Sequence, residues 1–331
     1  MRFERLAFAA GLGLFLWLLH RIGLEAIGRN LASIGWGFAA VLALETVVVL
    51  LVTLGWSRTL PPDRRVPFSS LVAMRMAGDG VNALAPAAVV GGEIVHARLL
   101  ARFIPTVEAL GSVGLAAMAQ FLAQVLFIEL GAILSRSGAL APRLRLLGLA
   151  LLVFLAVFVA LLERLSRRRE GPPGRVARWL GRVARVFPGG GLREGFFRDL
   201  DRNVFGAIRE RPLALALAVL LFLCAWLVSA VEVGLVMALL GAPVPAGTAF
   251  AIAVLTVLVE GLFFFVPARV GVQEGGLYAI FLALGLDPAR GFSLGLVRRL
   301  RELTWGLAGL AILAHYRYRR PPDALRTPEH E

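Results

Sequence analysis

Cysteine is almost absent from these 331 residues: Cys224 stands alone inside an apolar block, so the chain offers neither a disulfide nor a thiolate metal site. No HExxH helix occurs, and His20, His315 and His330 are scattered near the ends of apolar blocks. The "PGGG" at 188–191 lacks the Lys-Ser/Thr that would hold nucleotide and metal, and no other ATP-binding motif is found. The apolar block behind "MRFER" continues into "HRIGLEAIGRN" without a small-residue cleavage site, so it reads as an uncleaved helix rather than a signal peptide. Acidic residues are scarce beside basic ones, 22 against 35, and the net charge of +13 comes almost wholly from Arg. In a chain of this kind such charge reports membrane orientation, and no nucleic-acid partner is expected.

What the chain has instead is apolar length. The apolar fraction is 58%, and residues 6–19, 38–56, 107–134, 146–162, 213–240, 249–266 and 292–314 form mostly apolar blocks, where a bilayer crossing needs roughly 20 residues. The expected fold is all-α, a polytopic integral membrane protein of about six to eight transmembrane helices, with no room for a soluble catalytic domain. Four regions follow: a first membrane half over 1–163, a basic cytoplasmic linker over 164–211, a second membrane half over 212–316 and a cytoplasmic tail over 317–331. Within the linker, Val176, Trp179, Leu180, Val183 and Phe187 recur at helical spacing while Arg175, Arg178, Arg182 and Arg185 line other faces. That pattern suits a helix lying on an anionic lipid leaflet, or equally a solvated linker helix.

Each half carries the same device. In "LAPAAVVGGEIVHARLL" Pro86 precedes Glu93 by seven residues, and in "FVPARVGVQEGGLYAIF" Pro267 precedes Glu274 by seven, with Gly between and an apolar run before. Pro105 and Pro288 follow, each opening a long apolar stretch, so the order reads as an internal repeat. With the N-terminus inside, a first broken hairpin over 71–104 dips from the cytoplasmic face, and a second over 249–287 dips from the opposite face. Both termini and the Arg-rich linker then fall inside. This is the inverted-repeat arrangement in which broken helices meet near the midplane; eight full spans satisfy the same charge distribution.

Pro86 removes a backbone donor, and Gly91 and Gly92 loosen the helix, so unpaired backbone must face protein or a wet cavity. A helix restarting near Gly92 would aim its N-terminal dipole at an anion such as a lipid phosphate; a kink closed by neighbouring helices is the plainer alternative. Arg75, Asp79, Glu93, His96 and Arg98 accompany the first break, and Glu260, Arg269 and Glu274 the second. Each charge at the bilayer centre costs roughly 2.5–3.5 kcal/mol, so pairing or hydration in a polar cavity is expected. In "LVRRLRELTWG" one of Arg298, Arg299 and Arg301 is neutralised by Glu302 within the helix. The two remaining guanidiniums match a phosphate, or clamp Glu93, Glu260 or Glu274. Glu93 and His96 have the Glu-x-x-His spacing of di-iron bundles, but a second copy is missing, and no metal or cofactor is expected.

The stretches "GDGVNALAPAAVVGGEIVHARLLAR" and "FFFVPARVGVQEGGLYAIFLALGLDPARGFSLGLVRRLREL" resemble the flippase-like membrane domain of the lysylphosphatidylglycerol synthase superfamily over nearly the whole chain. Asn82, "VVGGEIVHARLL" and "GVQEGG" with the "RRLREL" ending look most like its hopanoid biosynthesis-associated subfamily. By position Pro86, Gly91, Gly92 and Glu93, then Pro267, Gly271, Gln273 and Glu274, and finally Arg298, Arg299 and Arg301 match the shared motifs. Where that pattern often has Arg after the Gly-Gly-Glu, this chain has His96 with Arg98 following. The resemblance implies a bacterial inner-membrane protein that moves or presents a lipid between leaflets. Lysyl transfer belongs to a separate soluble domain of the superfamily, so no enzymatic activity is expected here. The headgroup cavity is accordingly assigned to Arg75, Asp79, Asn82, Pro86, Gly91, Gly92, Glu93, His96, Arg98, Glu260, Pro267, Arg269, Gly271, Gln273, Glu274, Arg298, Arg299, Arg301 and Glu302. Membrane lipids are the expected partners, with enzymes of a lipid pathway beside them. A lipid-holding accessory protein and a membrane-embedded transferase are the competing readings.

Overall fold

The computed structural model describes residues 13–18, 20, 24–84, 91–134, 146, 148–154, 156, 157, 160, 164, 196–263, 266 and 269–318. Among these the regular structure is helical, without a strand. The elements are α1 (Leu24–Ile34), α2 (Gly37–Ser57), α3 (Phe68–Leu84), α4 (Gly91–Leu100), α5 (Thr106–Leu134), α6 (Phe196–Glu210), α7 (Pro212–Leu239), α8 (Ala246–Leu262), α9 (Val272–Ala283) and α10 (Pro288–Tyr318). Helices α2, α5 and α7 are long and apolar enough to cross a bilayer, and α8 is a shorter apolar helix. The protein is a multi-pass membrane protein.

The chain punctuation explains the breaks. Pro212 opens α7 at its first turn, where a missing N–H costs nothing, and Pro245 immediately precedes α8. Gly271 caps α9 at φ +75°, a conformation that a side chain would resist. Helix α10 is the longest, 31 residues or about 46 Å at 1.5 Å per residue, and carries its charges mid-length. Leu300, Leu303 and Leu307 recur along one exposed face of it, as a lipid-facing stripe should.

Two faces of the molecule can be read from contacts between helix ends. At one, the Thr59 hydroxyl donates to the Ser112 carbonyl (3.0 Å), Arg64 makes a two-pronged pair with Glu108 (2.8 and 3.0 Å), and Arg211 donates to the Leu60 carbonyl (2.7 Å). The end of α2 therefore lies with the starts of α5 and α7. At the other, Gly37 packs on Leu239, and Asn30 donates to the Ser293 hydroxyl (2.9 Å), joining the start of α2 to the end of α7 and α1 to the start of α10. The first broken hairpin, α3 and α4, leaves from and returns to the first face. The second, α8 and α9, leaves from and returns to the second.

Within the first hairpin the pairing is antiparallel, because Gly92 meets Asn82 and Gly78 while His96 meets Arg75. In the second, Gly276 packs on Val259, and α9 doubles back on α10 at Gly291 and Gly295. Buried apolar side chains form two main clusters, one built around α3 and α4, the other around α8, α9 and α10, and α2, α5 and α7 contribute to both. Small residues rather than hydrophobic mass set the closest approaches, as packing inside lipid requires.

The structure adds elements and removes some from view. Helix α1 was not expected; Leu31 and Ile34 of it pack on the second cluster. In the linker, α6 is the described helix, and Leu200 and Asn203 of it lie over Gly111 of α5. The helix expected over Val176–Phe187, with Arg175, Arg178, Arg182 and Arg185, lies outside the described residues, as do Pro86 and Pro267.

Candidate functional site

Each break is closed locally by a side chain. The Gly92 N–H at the start of α4 donates to Asn82 Oδ1 (2.8 Å), and the Gly271 N–H donates to Glu274 Oε2 (3.1 Å), the one capping-box bond open to a glycine N-cap. The restarting helices thus have these N–H groups engaged by the chain's own oxygens. This revises the expectation of helix ends aimed at an external anion: at α9 the anion is Glu274 itself.

Between the hairpins and α10 lies a cavity of about 370 Å³. Five carboxylates, Glu45, Asp79, Glu232, Glu260 and Glu302, line it against three guanidiniums, Arg269, Arg298 and Arg301. Two smaller cavities of about 200 and 210 Å³ share Arg75 and Gln120, and the former also shares Glu45, Asp79 and Arg301 with the main one. A continuous polar band therefore runs from Glu93 in the first hairpin to Glu302 in α10.

Arg298, Arg299 and Arg301 of α10 each meet a carboxylate, and Arg299 does so as the expected clamp on Glu274. Arg301 binds Glu232 (2.6 Å) and Glu45 (3.1 Å), and Arg298 sits 3.5 Å from Glu232. Arg299 donates to Glu274 Oε1 (3.0 Å) and to the Arg269 carbonyl (3.0 Å), and lies 3.4 Å from Glu302. Arg269 pairs with Glu260 and, at 3.7 Å, with Glu302, which also accepts from Gln273 (3.3 Å). Arg269 holds a positive φ of 50° despite its side chain, a conformation that costs about 1–2 kcal/mol and is kept by these contacts. In the first hairpin Arg75 pairs with Asp79 (2.8 Å), and His96 lies between Glu93 (3.1 Å) and the Arg75 carbonyl (3.1 Å).

Of the residues assigned from sequence, Asp79, Asn82, Glu260, Arg269, Gln273, Arg298, Arg301 and Glu302 line the main cavity, and Arg75, Glu93 and His96 line the adjoining one. Gly91, Gly92 and Gly271 sit at the helix starts, while Glu274 and Arg299 form the clamp behind them. Arg98 is exposed, about 200° around α4 from buried His96. Sequence reasoning missed Glu45, Glu232, Gln120, Ser229 and Trp305. A usable signal existed for the two carboxylates, since each stands alone inside a strongly apolar span, in "LALETVVVLL" and "VSAVEVGLV".

Several buried polar atoms of the main cavity have no hydrogen-bond partner among the described residues: Arg298 Nε, Arg301 Nε and Trp305 Nε1 as donors, Gln273 Oε1 and Glu232 Oε1 as acceptors. The lining can therefore both donate to and accept from a polar guest.

A model of the family described as Lysylphosphatidylglycerol synthase TM region matches residues 5–309. The chain belongs to this family. That membership gives it a role connected with membrane lipid. No curated protein and no solved structure matches the chain.

Proposed function

We propose that the cavity between the opposed broken hairpins holds the polar headgroup of a membrane lipid, and that the protein moves that lipid between the leaflets of a bacterial inner membrane. The observation that carries the reading is the cavity itself, about 370 Å³ at the meeting of α3, α8, α9 and α10, within the size range of small-molecule sites and lined by unsatisfied donors and acceptors. Its carboxylates outnumber its guanidiniums. A headgroup that brings a positive group beside its phosphate suits such a lining better than a purely anionic one. The "VVGGEIVHARLL" and "GVQEGG" segments support the finer assignment to the hopanoid-associated subfamily. In this reading the protein makes and breaks no covalent bond, and enzymes of a lipid pathway supply or consume what it moves. The Arg-rich linker rests on the anionic cytoplasmic leaflet through Arg175, Arg178, Arg182 and Arg185.

The test is leaflet exchange by pure protein in liposomes containing headgroup-labelled zwitterionic or anionic lipids. Wild type should speed loss of the outer-leaflet label, and Glu302→Gln and Arg269→Gln should slow it several-fold, the zwitterionic probe responding more. Absence of exchange, with native lipid retained by wild type and lost on mutation, would replace translocation by lipid presentation. A new covalent lipid product would replace it by transfer chemistry.

A further inference from the structure

His96 is buried, and both of its ring nitrogens meet groups that accept. Nδ1 lies 3.1 Å from Glu93 Oε2 and Nε2 lies 3.1 Å from the Arg75 carbonyl. A carbonyl oxygen only accepts, so that contact is a hydrogen bond only when Nε2 carries the hydrogen. A neutral imidazole has one N–H; when Nε2 holds it, the Nδ1 lone pair faces a carboxylate oxygen. Two lone pairs at that distance repel; a bond exists only with one more proton between them. That proton sits on Nδ1, making an imidazolium beside a carboxylate, or on Glu93 Oε2, making a carboxylic acid that donates to a neutral ring. With both bonds made, the pair holds one proton beyond a neutral histidine and an ionised glutamate.

We propose that Glu93 and His96 form a proton-binding site, and that lipid movement by this protein is linked to loading and unloading of that proton. The coupling arm rests on the translocation reading above; the proton site does not. Every neighbouring element contributes to its field. From α3, Arg75 and Asp79 face it, Asp79 lying 3.9 Å from Nε2 and binding Arg75 at 2.8 Å. From α2, the Trp56 ring packs on the imidazole at 5.4 Å, and Glu45 lines the adjoining cavity with Arg75 and Asp79. From α5, the neutral amides of Gln120 and Gln124 line the cavity that His96 and Glu93 share, and from α10 Arg301 holds Glu45. The site is therefore polar and connected to the headgroup cavity.

The proton has a mechanical consequence. His96 Nε2 lies hard against Gly78, where any side chain would collide with it, and its bond to the Arg75 carbonyl ties α4 to α3, while its bond to Glu93 stays within α4. Unloading the proton leaves a single N–H for two acceptors; drawn to the carboxylate, the stronger acceptor, it abandons the Arg75 carbonyl, and the hairpin is free to rearrange. The sign follows from linkage: a closed hairpin with both bonds made binds the extra proton, so it is favoured at low pH and loses that advantage as pH rises.

The experiment has two arms on the full-length protein. In lipid nanodiscs, ¹⁵N-histidine and ¹³C-glutamate spectra are recorded from about pH 5 to pH 9, across the range in which histidine sites titrate. The site signals are assigned by difference against His96→Gln and Glu93→Gln. The extra proton should be seen at low pH, as an imidazolium or as a protonated Glu93 carboxyl, and should leave in one step as pH rises. A neutral ring beside an ionised carboxylate throughout would overturn the site.

The second arm follows leaflet exchange in liposomes over the same pH range. Wild-type rate should change by up to about tenfold per pH unit across the step, the limit for one linked proton. Glu93→Gln mimics the loaded pair, since its amide donates to Nδ1 and leaves the N–H on Nε2 for the Arg75 carbonyl; it should fold as wild type and exchange slowly and independently of pH. Exchange insensitive to pH in wild type would overturn the coupling. A proton step with no exchange at any pH would overturn translocation and leave the proton site standing.

Discussion

Arg301 shows how a single side chain organises the centre of this protein. It is the shared partner of Glu232 at 2.6 Å and Glu45 at 3.1 Å, and so ties α10 to α7 and α2 at once. Removing one member of a buried ion pair leaves an uncompensated charge and costs about 3–5 kcal/mol. Arg301→Gln should therefore lower the unfolding midpoint of the detergent-solubilised protein sharply. Arg298→Gln should do less, since its contacts to Glu232 and to the Ser229 carbonyl are longer, at 3.5 and 3.4 Å. Adding Glu232→Gln to Arg301→Gln should recover part of the loss, because the stranded carboxylate is then neutral; additive losses would refute the pairing. The Arg end of this network was legible in the sequence, where "RRLREL" interrupts an apolar helix. Its carboxylate partners were overlooked because attention followed the Pro-Gly breaks, whereas Glu45 and Glu232 sit in unbroken helices. No local pattern says that three helices far apart in sequence bring them to one guanidinium.

At the scale of elements, the contact between α3 and α10 is the most extensive among the described helices, and glycine makes it possible. A side chain at Gly309 would begin 2.0 Å from the Met76 carbonyl oxygen, and one at Gly80 would begin 2.7 Å from the Gly306 carbonyl oxygen. Both obstacles are backbone, so they cannot swing aside. Gly309→Leu should accordingly separate the two helices, enlarge the main cavity at Gly306 and destabilise the protein. Gly114→Ala, at a helical glycine with open space around it, should leave stability near wild type. Equal unfolding midpoints for the two variants would show that the close approach does not matter. Such helix-to-helix choices were hidden in the sequence. Glycines are abundant throughout, and composition alone does not say which of them meet another backbone. The breaks themselves were visible because Pro and Gly act locally: α4 starts at Gly91 and α9 directly after Gly271.

For the whole molecule, the decisive feature is that the two hairpins open on opposite faces. Helices α4 and α9, of 10 and 12 residues, span only about 15 and 18 Å at 1.5 Å per residue, against a hydrocarbon thickness of about 30 Å. Neither can cross alone. Arg64, Glu108 and Arg211 mark the face to which the first hairpin returns, and the turns after α7 and after α9 mark the face of the second. The first face also carries Arg58, Arg65 and Arg102, so the charge rule predicts that it faces the cytoplasm. A two-sided labelling experiment checks both statements in a Cys224→Ser background. A thiol reagent confined to the outside of intact cells should modify Pro243→Cys and Asp287→Cys but neither Arg65→Cys nor Pro105→Cys, and permeabilisation should expose the latter pair. Labelling of Arg65→Cys and Pro105→Cys alone would keep the opposed hairpins and invert the protein. Labelling that separates Arg65 from Pro105, or Pro243 from Asp287, would mean that a hairpin crosses fully, and the midplane meeting of broken helices on which the cavity depends would fall with it.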